Sequence, residues 1–348
     1  MSKQVILIGP LGAESSMAAG DSLKNWHLIN RLRQLSVDLR VIDTIESQKS
    51  LAKKVLAVID IFRHRKSRFI VSASSVGAYR LLSLMRRMGI SDIIYWVIGG
   101  DFPHLINCGM IDIRAYSNVR KIIVEGKRME ETLRIYGLKN VMTLPNFKPI
   151  DFIPAEQPRD SHAPVRFVFL SRIIEDKGCR YINEAAALLN GKGLGQRFMV
   201  DYYGSITDEY KKTFLESIEP IPNVAYKGFL KLVDQANYQI LAGYDAMLFP
   251  TFFYGEGFAG IFIDAFIAGL PVITSDWNLN SEIVKDGETG LIVENRNAEK
   301  LAAAMERLIM DPQLAESMSK RCQEQCMNYD SAHVVTQDLV ERLELTPS

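Results

Sequence analysis

The chain has 348 residues, of which 47% are hydrophobic and 24% charged, enough for two ordinary cores in a soluble protein. Its four cysteines and five histidines are scattered without ligand spacing, which argues against a metal module and fits a reducing cytoplasm. Net charge is zero but unevenly divided: residues 1–155 carry 23 Lys and Arg against 13 Asp and Glu, and the remainder carries the opposite excess.

The opening MSKQVILIGPLG holds an apolar run of only Val5 to Ile8, so it does not read as a signal peptide. No later run reaches the roughly eighteen apolar residues of a transmembrane helix. Val5–Pro10 predicts a buried first strand, and Gly9-Pro10-Leu11-Gly12 the turn that leaves it. A loop to Gly20 then feeds a helix over about Ser22–Leu35. Further strands are predicted at Leu39–Ile42, Phe69–Ser72, Ile93–Gly99, Lys121–Val124 and Val141–Leu144, with helical patterns between them such as Ala78–Met88 and Arg128–Tyr136. Strands alternating with helices predict a parallel sheet covered on both faces. The first turn lacks G-x-G-x-x-G, so a dinucleotide cofactor is poorly supported. The basic excess is densest at Arg63-His64-Arg65-Lys66-Ser67-Arg68, followed by Arg80, Arg86 and Arg87. Two readings stay open for it, a solvated helix end or attraction to an anionic membrane. Without aromatic residues interleaved among these cations, nucleic acid is not the expected partner.

Pro145, Pro149, Pro154, Pro158 and Pro164 fall amid polar residues and mark a linker. The alternation then restarts at Val165–Leu170, Phe198–Tyr203, Val224–Tyr226, Ala246–Phe249, Val272–Thr274 and Leu291–Val293. The fold class expected is α/β, with two Rossmann-like doubly wound domains facing a central cleft: residues 1–150, a linker over 151–164, and residues 165–328. A final helical pattern, Ser331–Leu345, belongs to a segment 329–348 expected to cross back onto the first domain. Cys322 and Cys326, four apart, are expected to serve packing or a helix surface.

The most informative stretch is Phe249 to Asp276, FPTFFYGEGFAGIFIDAFIAGLPVITSD, which reads as strand, glycine-rich loop, helix, turn, strand. Phe258, Ile261, Phe262, Ala265 and Phe266 recur at helical spacing, Gly269 suits a left-handed C-terminal cap, and Pro271 cannot continue the helix. Two carboxylates interrupt this apolar run. Eight residues of helical rise would set Glu256 and Asp264 roughly 12 Å apart, a span suited to the two ends of an extended ligand. Either acid alone reads equally as a surface charge; together, beside Gly255 and Gly257 at a helix N-terminus suited to anions, they point to a site. A second candidate follows strand Val165–Leu170 in Ser171-Arg172-Ile173-Ile174-Glu175-Asp176-Lys177-Gly178. Arg172 can grip phosphate oxygens in bidentate fashion and Lys177 adds a point charge, unless both are surface cations balanced by Glu175 and Asp176.

Glu256, seven residues, then Asp264 followed by AFIAGLPVI resembles the signature of the retaining two-domain glycosyltransferases of family 4, also called group 1. The second acid is shortened from that family's Glu, and Ala259 stands at its frequent glycine. Arg172, four residues, then Lys177-Gly178 resembles the same family's donor diphosphate site, and the likeness covers about residues 165–295. The resemblance implies a GT-B fold and roles for individual positions. Arg172 and Lys177 would neutralise the leaving nucleoside diphosphate, and Glu256 would hold donor-sugar hydroxyls. Gly257 with the backbone of Phe258, Ala259 and Gly260 would face phosphate or sugar, and Asp264 would accept from the ribose hydroxyls. The base would lie near Tyr202–Gly204 and Lys227–Leu230, which include Gly204 and Gly228. In the first domain Gly12 either admits the donor phosphates or only makes its turn. Asp101 and His104 are candidates against sugar or acceptor, and Asp101 serves equally as a helix cap.

The activity implied is metal-independent retaining transfer from a nucleoside-diphosphate sugar to a hydroxyl, with no cofactor and no metal, in cell-surface polysaccharide or glycolipid synthesis. The donor sugar and a glycan or lipid-linked acceptor are the expected partners, at the cytoplasmic face of the membrane. Competing readings are an epimerase or phosphorylase of the same fold and a non-catalytic nucleotide-sugar-binding subunit.

Overall fold

The computed structural model of the chain describes residues 4–12, 20–155 and 163–346. These fall into two compact units, Met1–Pro149 with Asn328–Ser348, and Ile150–Met327. Most of the predicted loop before Gly20 and the middle of the proline-rich linker, including Pro158, lie outside the described residues.

In the first unit the chain runs β1 (Val5–Gly9), α1 (Gly20–Gln34), β2 (Leu39–Asp43), α2 (Thr44–Gln48), α3 (Leu51–Arg63) and β3 (Arg68–Ser74). It continues through α4 (Ser75–Arg87), β4 (Ile93–Ile98), α5 (Phe102–Asn107), β5 (Val119–Val124), α6 (Lys127–Ile135) and β6 (Val141–Thr143). The six strands pair in parallel in the order β2-β1-β3-β4-β5-β6. β1 (VILIG) and β4 (IIYWVI) are buried at every position, the unbroken apolar text of strands covered on both faces.

The second unit repeats the plan with β7 (Val165–Leu170), α7 (Cys179–Gly191), β8 (Phe198–Tyr203), α8 (Asp208–Ile218), β9 (Val224–Tyr226) and α9 (Gln235–Leu241). β10 (Ala246–Phe249), α10 (Gly260–Ile267), β11 (Val272–Ser275), α11 (Asn280–Ile283), β12 (Gly290–Val293), α12 (Ala298–Met310) and α13 (Pro312–Cys326) complete it. Its order is β12-β11-β10-β7-β8-β9, again all parallel.

α10 is the central helix of this unit, and it differs from the amphipathic helix the spacing predicts. Phe258 precedes it, and from Phe262 to Ile267 every residue is buried, so it is wrapped on all sides. α13 packs against it, with Met318, Cys322 and Cys326 fully buried, so the two cysteines serve packing. Its end is a Schellman turn: Gly269 at φ +69° donates to Phe266 O and Leu270 N donates to Ala265 O.

The last segment belongs to the first unit. Lys148 pairs with Asp330, after which come α14 (Ser331–Val334) and α15 (Gln337–Arg342). The single helix expected over Ser331–Leu345 is thus two. Thr336 takes extended backbone and its hydroxyl accepts Leu339 N–H, so a fresh N-cap interrupts the run. Val334, Val335, Leu339, Val340, Leu343 and Leu345 close a core with Leu28, Ile29 and Leu32 of α1 and Val5 and Leu7 of β1.

Candidate active site

The second unit's sheet changes direction between β7 and β10. The chain moves outward from β7 to β8 and β9, then returns to lay β10 on the other side of β7. Loops leaving the carboxyl ends of two such strands diverge and leave a crevice between them, the usual ligand position in an open α/β sheet. The loop after β7 carries Arg172 and Lys177, and the loop after β10 carries Thr251, Phe253 and Glu256. The two loops are joined where Phe252 N donates to Asp176 O at 2.8 Å. Gly178 at φ +82° allows this approach, since a Cβ there would stand 2.2 Å from Pro250 O.

Lys177 and Glu256 meet directly in an ion pair, with residue exposures of only 5% and 8%. Thr251 Oγ1 donates to the same carboxylate oxygen at 3.2 Å. The Lys177 ammonium lies 5.1 Å from the centre of the Phe249 ring and 5.0 Å from that of Phe253, whose faces favour a cation. The Arg172 guanidinium lies 5.9 Å from the same Phe253 ring, and its side chain is exposed at the carboxyl edge. One aromatic ring therefore carries both cations. The loop after β11 braces this assembly: Trp277 Nε1 donates to Phe253 O at 2.8 Å and Asn278 Nδ2 to Glu256 O at 2.9 Å. Ser275 Oγ also donates to Thr251 O.

α10 starts without a side-chain cap, because Ala259 at the N-cap position has nothing to offer its first turn. Gly257, Phe258, Ala259 and Gly260 lead into that turn, and Phe258 is anchored in the core at 2% exposure. Glu256 lies outside the helix, so the expected 12 Å of helical rise between the acids does not apply. Asp264, in the middle of α10, is buried and accepts a hydrogen bond from the Tyr238 hydroxyl of α9. Burial first, then the Asp264 charge, pushes the Tyr238 phenol well above its ordinary pKa, so it stays a donor.

Gly204 and Gly228 close the edge beyond β8 and β9, where Gly204 N donates to Gly228 O at 2.8 Å. Gly204, at φ +143°, passes so close to β7 that a Cβ would fall 1.7 Å from Ser171 O. The N–H of Gly204 is thus engaged by Gly228 O, and the lack of a side chain at Gly204 permits the close strand-end packing.

The remaining candidates lie in the first unit. Gly12 has φ +65°, and its N–H donates to Asp43 Oδ2 at 3.1 Å while Leu11 N donates to Asp43 Oδ1. Asp43 thus accepts from the Gly12 amide, and Gly12, at positive φ, makes the turn that leaves β1. Asp101 makes no capping bond to α5, because its carboxylate accepts instead from Ser75 Oγ at 2.6 Å. His104 is exposed on α5. Arg68, counted with the basic surface run, is buried: it pairs with Asp92 at 2.8 Å and donates to the Leu343 carbonyl.

Sequence reasoning missed Tyr238, Thr251, Phe253 and Asn278. Thr251 and Phe253 directly follow a strand whose loop was already suspect, and Asn278 follows the neighbouring strand, so position offered a signal. Tyr238 offered none, because QANYQIL reads as an ordinary helix and its partner lies 26 residues away.

The family described as "Glycosyl transferases group 1" matches residues 152–325, half of the chain. The chain belongs to that family, and its two Rossmann-like sheets form the GT-B fold. It is 28% identical over 176 residues to the capsular polysaccharide biosynthesis glycosyltransferase CapM of Staphylococcus aureus, covering 49% of this chain and 43% of CapM. It is 22% identical over 204 residues to a poly(ribitol-phosphate) alpha-N-acetylglucosaminyltransferase of the same species, covering 58% and 39%. The chain thus spans less than half the length of these curated relatives. Among solved structures, Anabaena HepE in complex with UDP and glucose superposes with a TM-score of 0.72 at 15% identity, over 99% of this chain and 100% of that one.

Proposed function

We propose that this chain is a retaining glycosyltransferase that moves a sugar from a nucleoside-diphosphate sugar to a hydroxyl of a glycan or lipid-linked acceptor. The observation that carries the reading is the Arg172–Lys177–Glu256 group at the switch point of the second sheet, with Phe253 beneath both cations. Preorganised positive charge at this point meets the charge that develops on a departing diphosphate. Fixed cations and the uncapped start of α10 together suit such a group, which is why we infer chemistry that needs no metal. A nucleotide whose ribose lies toward Asp264 would have its phosphates toward Arg172 and its sugar toward Glu256. Uridine is the base to test first, because HepE was crystallised with UDP.

In this reading the anomeric carbon–oxygen bond to the diphosphate breaks as the acceptor oxygen bonds to the same face of that carbon. The acceptor proton passes to the departing diphosphate oxygen, so no side chain acts as nucleophile. Arg172 and Lys177 stabilise the charge on that oxygen, and Glu256 holds Lys177 in place while its remaining acceptor capacity meets sugar hydroxyls. Relatives named for capsular polysaccharide biosynthesis and for poly(ribitol-phosphate) glycosylation support a place in surface-polysaccharide synthesis.

The test is a panel of nucleotide sugars scored for thermal stabilisation, slow donor hydrolysis and the anomeric configuration of the product. One donor should stabilise the protein and be hydrolysed with its configuration kept. Inversion would overturn retention, change of the sugar on its nucleotide would indicate an epimerase, and binding without hydrolysis a non-catalytic subunit.

A further inference from the structure

The loop after β10 carries three aromatic residues in a row, and each is placed differently. Phe252 is packed inward, edge-on to the Tyr181 ring at 5.9 Å and with the Arg296 guanidinium 4.4 Å from its own ring centre. Phe253 lies under the Lys177 and Arg172 cations. Tyr254 turns outward at 41% exposure, two residues before Glu256. Its backbone is fixed nonetheless. Phe253 O accepts Glu256 N–H at 3.0 Å, which makes Tyr254 and Gly255 the corner of a four-residue turn. Gly255 is folded so closely on Phe253 that a Cβ there would fall 2.9 Å from the ring.

Trp277, on the loop after β11, meets the Tyr254 ring edge-on, with centroids 6.4 Å apart and planes at 74°. Its indole N–H is engaged by Phe253 O, so the half-exposed remainder is ring surface. Asn278 has φ +45°, in the left-handed region that Asn tolerates better than most side chains. From there its amide donates to Tyr254 O at 3.3 Å and to Glu256 O at 2.9 Å, so one residue brackets both. Asp276, directly before Trp277, is exposed and adds a hydrogen-bond acceptor. Two rigidly held amphipathic rings near carboxylates suit a ligand with an apolar face and a polar rim. A pyranose has that character, with C–H groups on its faces and hydroxyls around its edge.

We propose that Tyr254 and Trp277 form a platform on which a pyranose ring of the acceptor glycan stacks. The choice of acceptor rests on the transferase reading: there Glu256 and the two cations hold the donor sugar and its diphosphate, so a ring at Tyr254 is the next one out. Stacking fixes the plane of the acceptor ring and selects a cyclic sugar over an open-chain polyol.

The test is saturation-transfer NMR on the full chain, with and without UDP. The probes are methyl α- and β-pyranosides of glucose, galactose and N-acetylglucosamine, with sorbitol as the open-chain control. At least one pyranoside should receive saturation, most strongly at the C–H protons of one ring face, and sorbitol should not. Tyr254→Ala should weaken that binding about tenfold, whereas Tyr254→Phe, which keeps the ring, should stay within about twofold of the parent. Calorimetry should show UDP and UDP-glucose binding to Tyr254→Ala as they bind to the parent. No pyranoside signal, an equal signal from sorbitol, or an alanine variant that binds the pyranoside like the parent would overturn the proposal. So would a loss of UDP-glucose affinity with UDP affinity intact, since that would seat the donor's own sugar on the rings. The nucleotide-sugar panel reports the donor site separately: no stabilisation by any donor, with Tyr254-dependent pyranoside binding intact, would sink the transferase reading alone.

Discussion

At the residue scale, the Lys177–Glu256 pair separates the two cations more sharply than their shared loop does. Removing one partner of a buried pair leaves an uncompensated charge and costs about 3–5 kcal/mol. Arg172 is exposed and leaves no such charge behind. Lys177→Ala and Arg172→Ala should each lower turnover by about a hundredfold or more, since in the proposed mechanism each supplies a charge-assisted contact to the leaving group. Only Lys177→Ala should lower the melting temperature markedly. Equal melting curves for the two variants would show that the ion pair does not contribute as described. The acids divide similarly. Asp264→Asn should weaken binding of free nucleoside diphosphate, whereas Glu256→Gln should preserve most of that binding and damage transfer. Tyr238→Phe removes a hydrogen bond to a buried carboxylate, worth about 1.5–3 kcal/mol, and should shift nucleotide affinity as Asp264→Asn does. Calorimetry with the three variants checks this, and a Tyr238→Phe protein with unchanged affinity would reduce that phenol to a core contact.

At the element scale, the site depends on strand ends and loops approaching more closely than side chains permit. Gly178 and Gly204 both have positive φ, and at both an added Cβ would strike backbone carbonyl oxygen, at Pro250 and Ser171. Gly193 shares the left-handed conformation but has nothing within 4 Å. Gly193→Ala should therefore cost only the conformational penalty, about 1–2 kcal/mol. Gly204→Ala must also move β7 from β8, and Gly178→Ala must part the loops that carry Lys177 and Glu256. Urea denaturation should rank both well below Gly193→Ala in stability. Gly178→Ala should also lose donor turnover at temperatures where it stays folded.

On the scale of the whole molecule, the chain leaves its first unit at Pro149 and re-enters it at Asn328. The returning segment is held by more than apolar packing. Arg68, at the start of β3, ties Asp92 to the carbonyls of Leu343 and Glu344, and Arg120 bonds the same segment through Glu344 at 2.6 Å. Arg68→Ala should cost about 3 kcal/mol by removing several charge-assisted hydrogen bonds at once, although Arg120 remains 3.7 Å from Asp92 and donates to Leu343 O at 3.2 Å. In a unit of this size that is a loss of roughly 6–12 °C in melting temperature. Limited proteolysis should cut the variant first near the C-terminus, and an unchanged melting curve would mean that the apolar contacts of Val335, Val340 and Leu345 suffice. The same burial explains why Arg68 adds nothing to the basic surface, whereas Arg63, Arg65 and Lys66 beside it do.

Local periodicity determined the strands almost to the residue, because parallel strands buried on both faces must be written as unbroken apolar runs. Val165–Leu170, Phe198–Tyr203 and Ala246–Phe249 were legible in this way. Spacing likewise marked Arg172, Lys177, Glu256 and Asp264, since charges placed just past strand ends or inside an apolar helix need a reason. Only the tertiary structure decided what those charges do to one another. Lys177 and Glu256 are 79 positions apart and meet because β7 and β10 are neighbours, a fact of strand order that no local pattern encodes. The same holds for Asp264 and Tyr238, and for Asp43, which accepts the Gly12 N–H from 31 positions away. Arg68 and Arg63 read alike in sequence, and a five-residue step from helix end to strand start sends one inward and leaves the other in water. Periodicity records which faces are covered; which side chain lies opposite, and what that does to a charge, is set when distant strand ends come together.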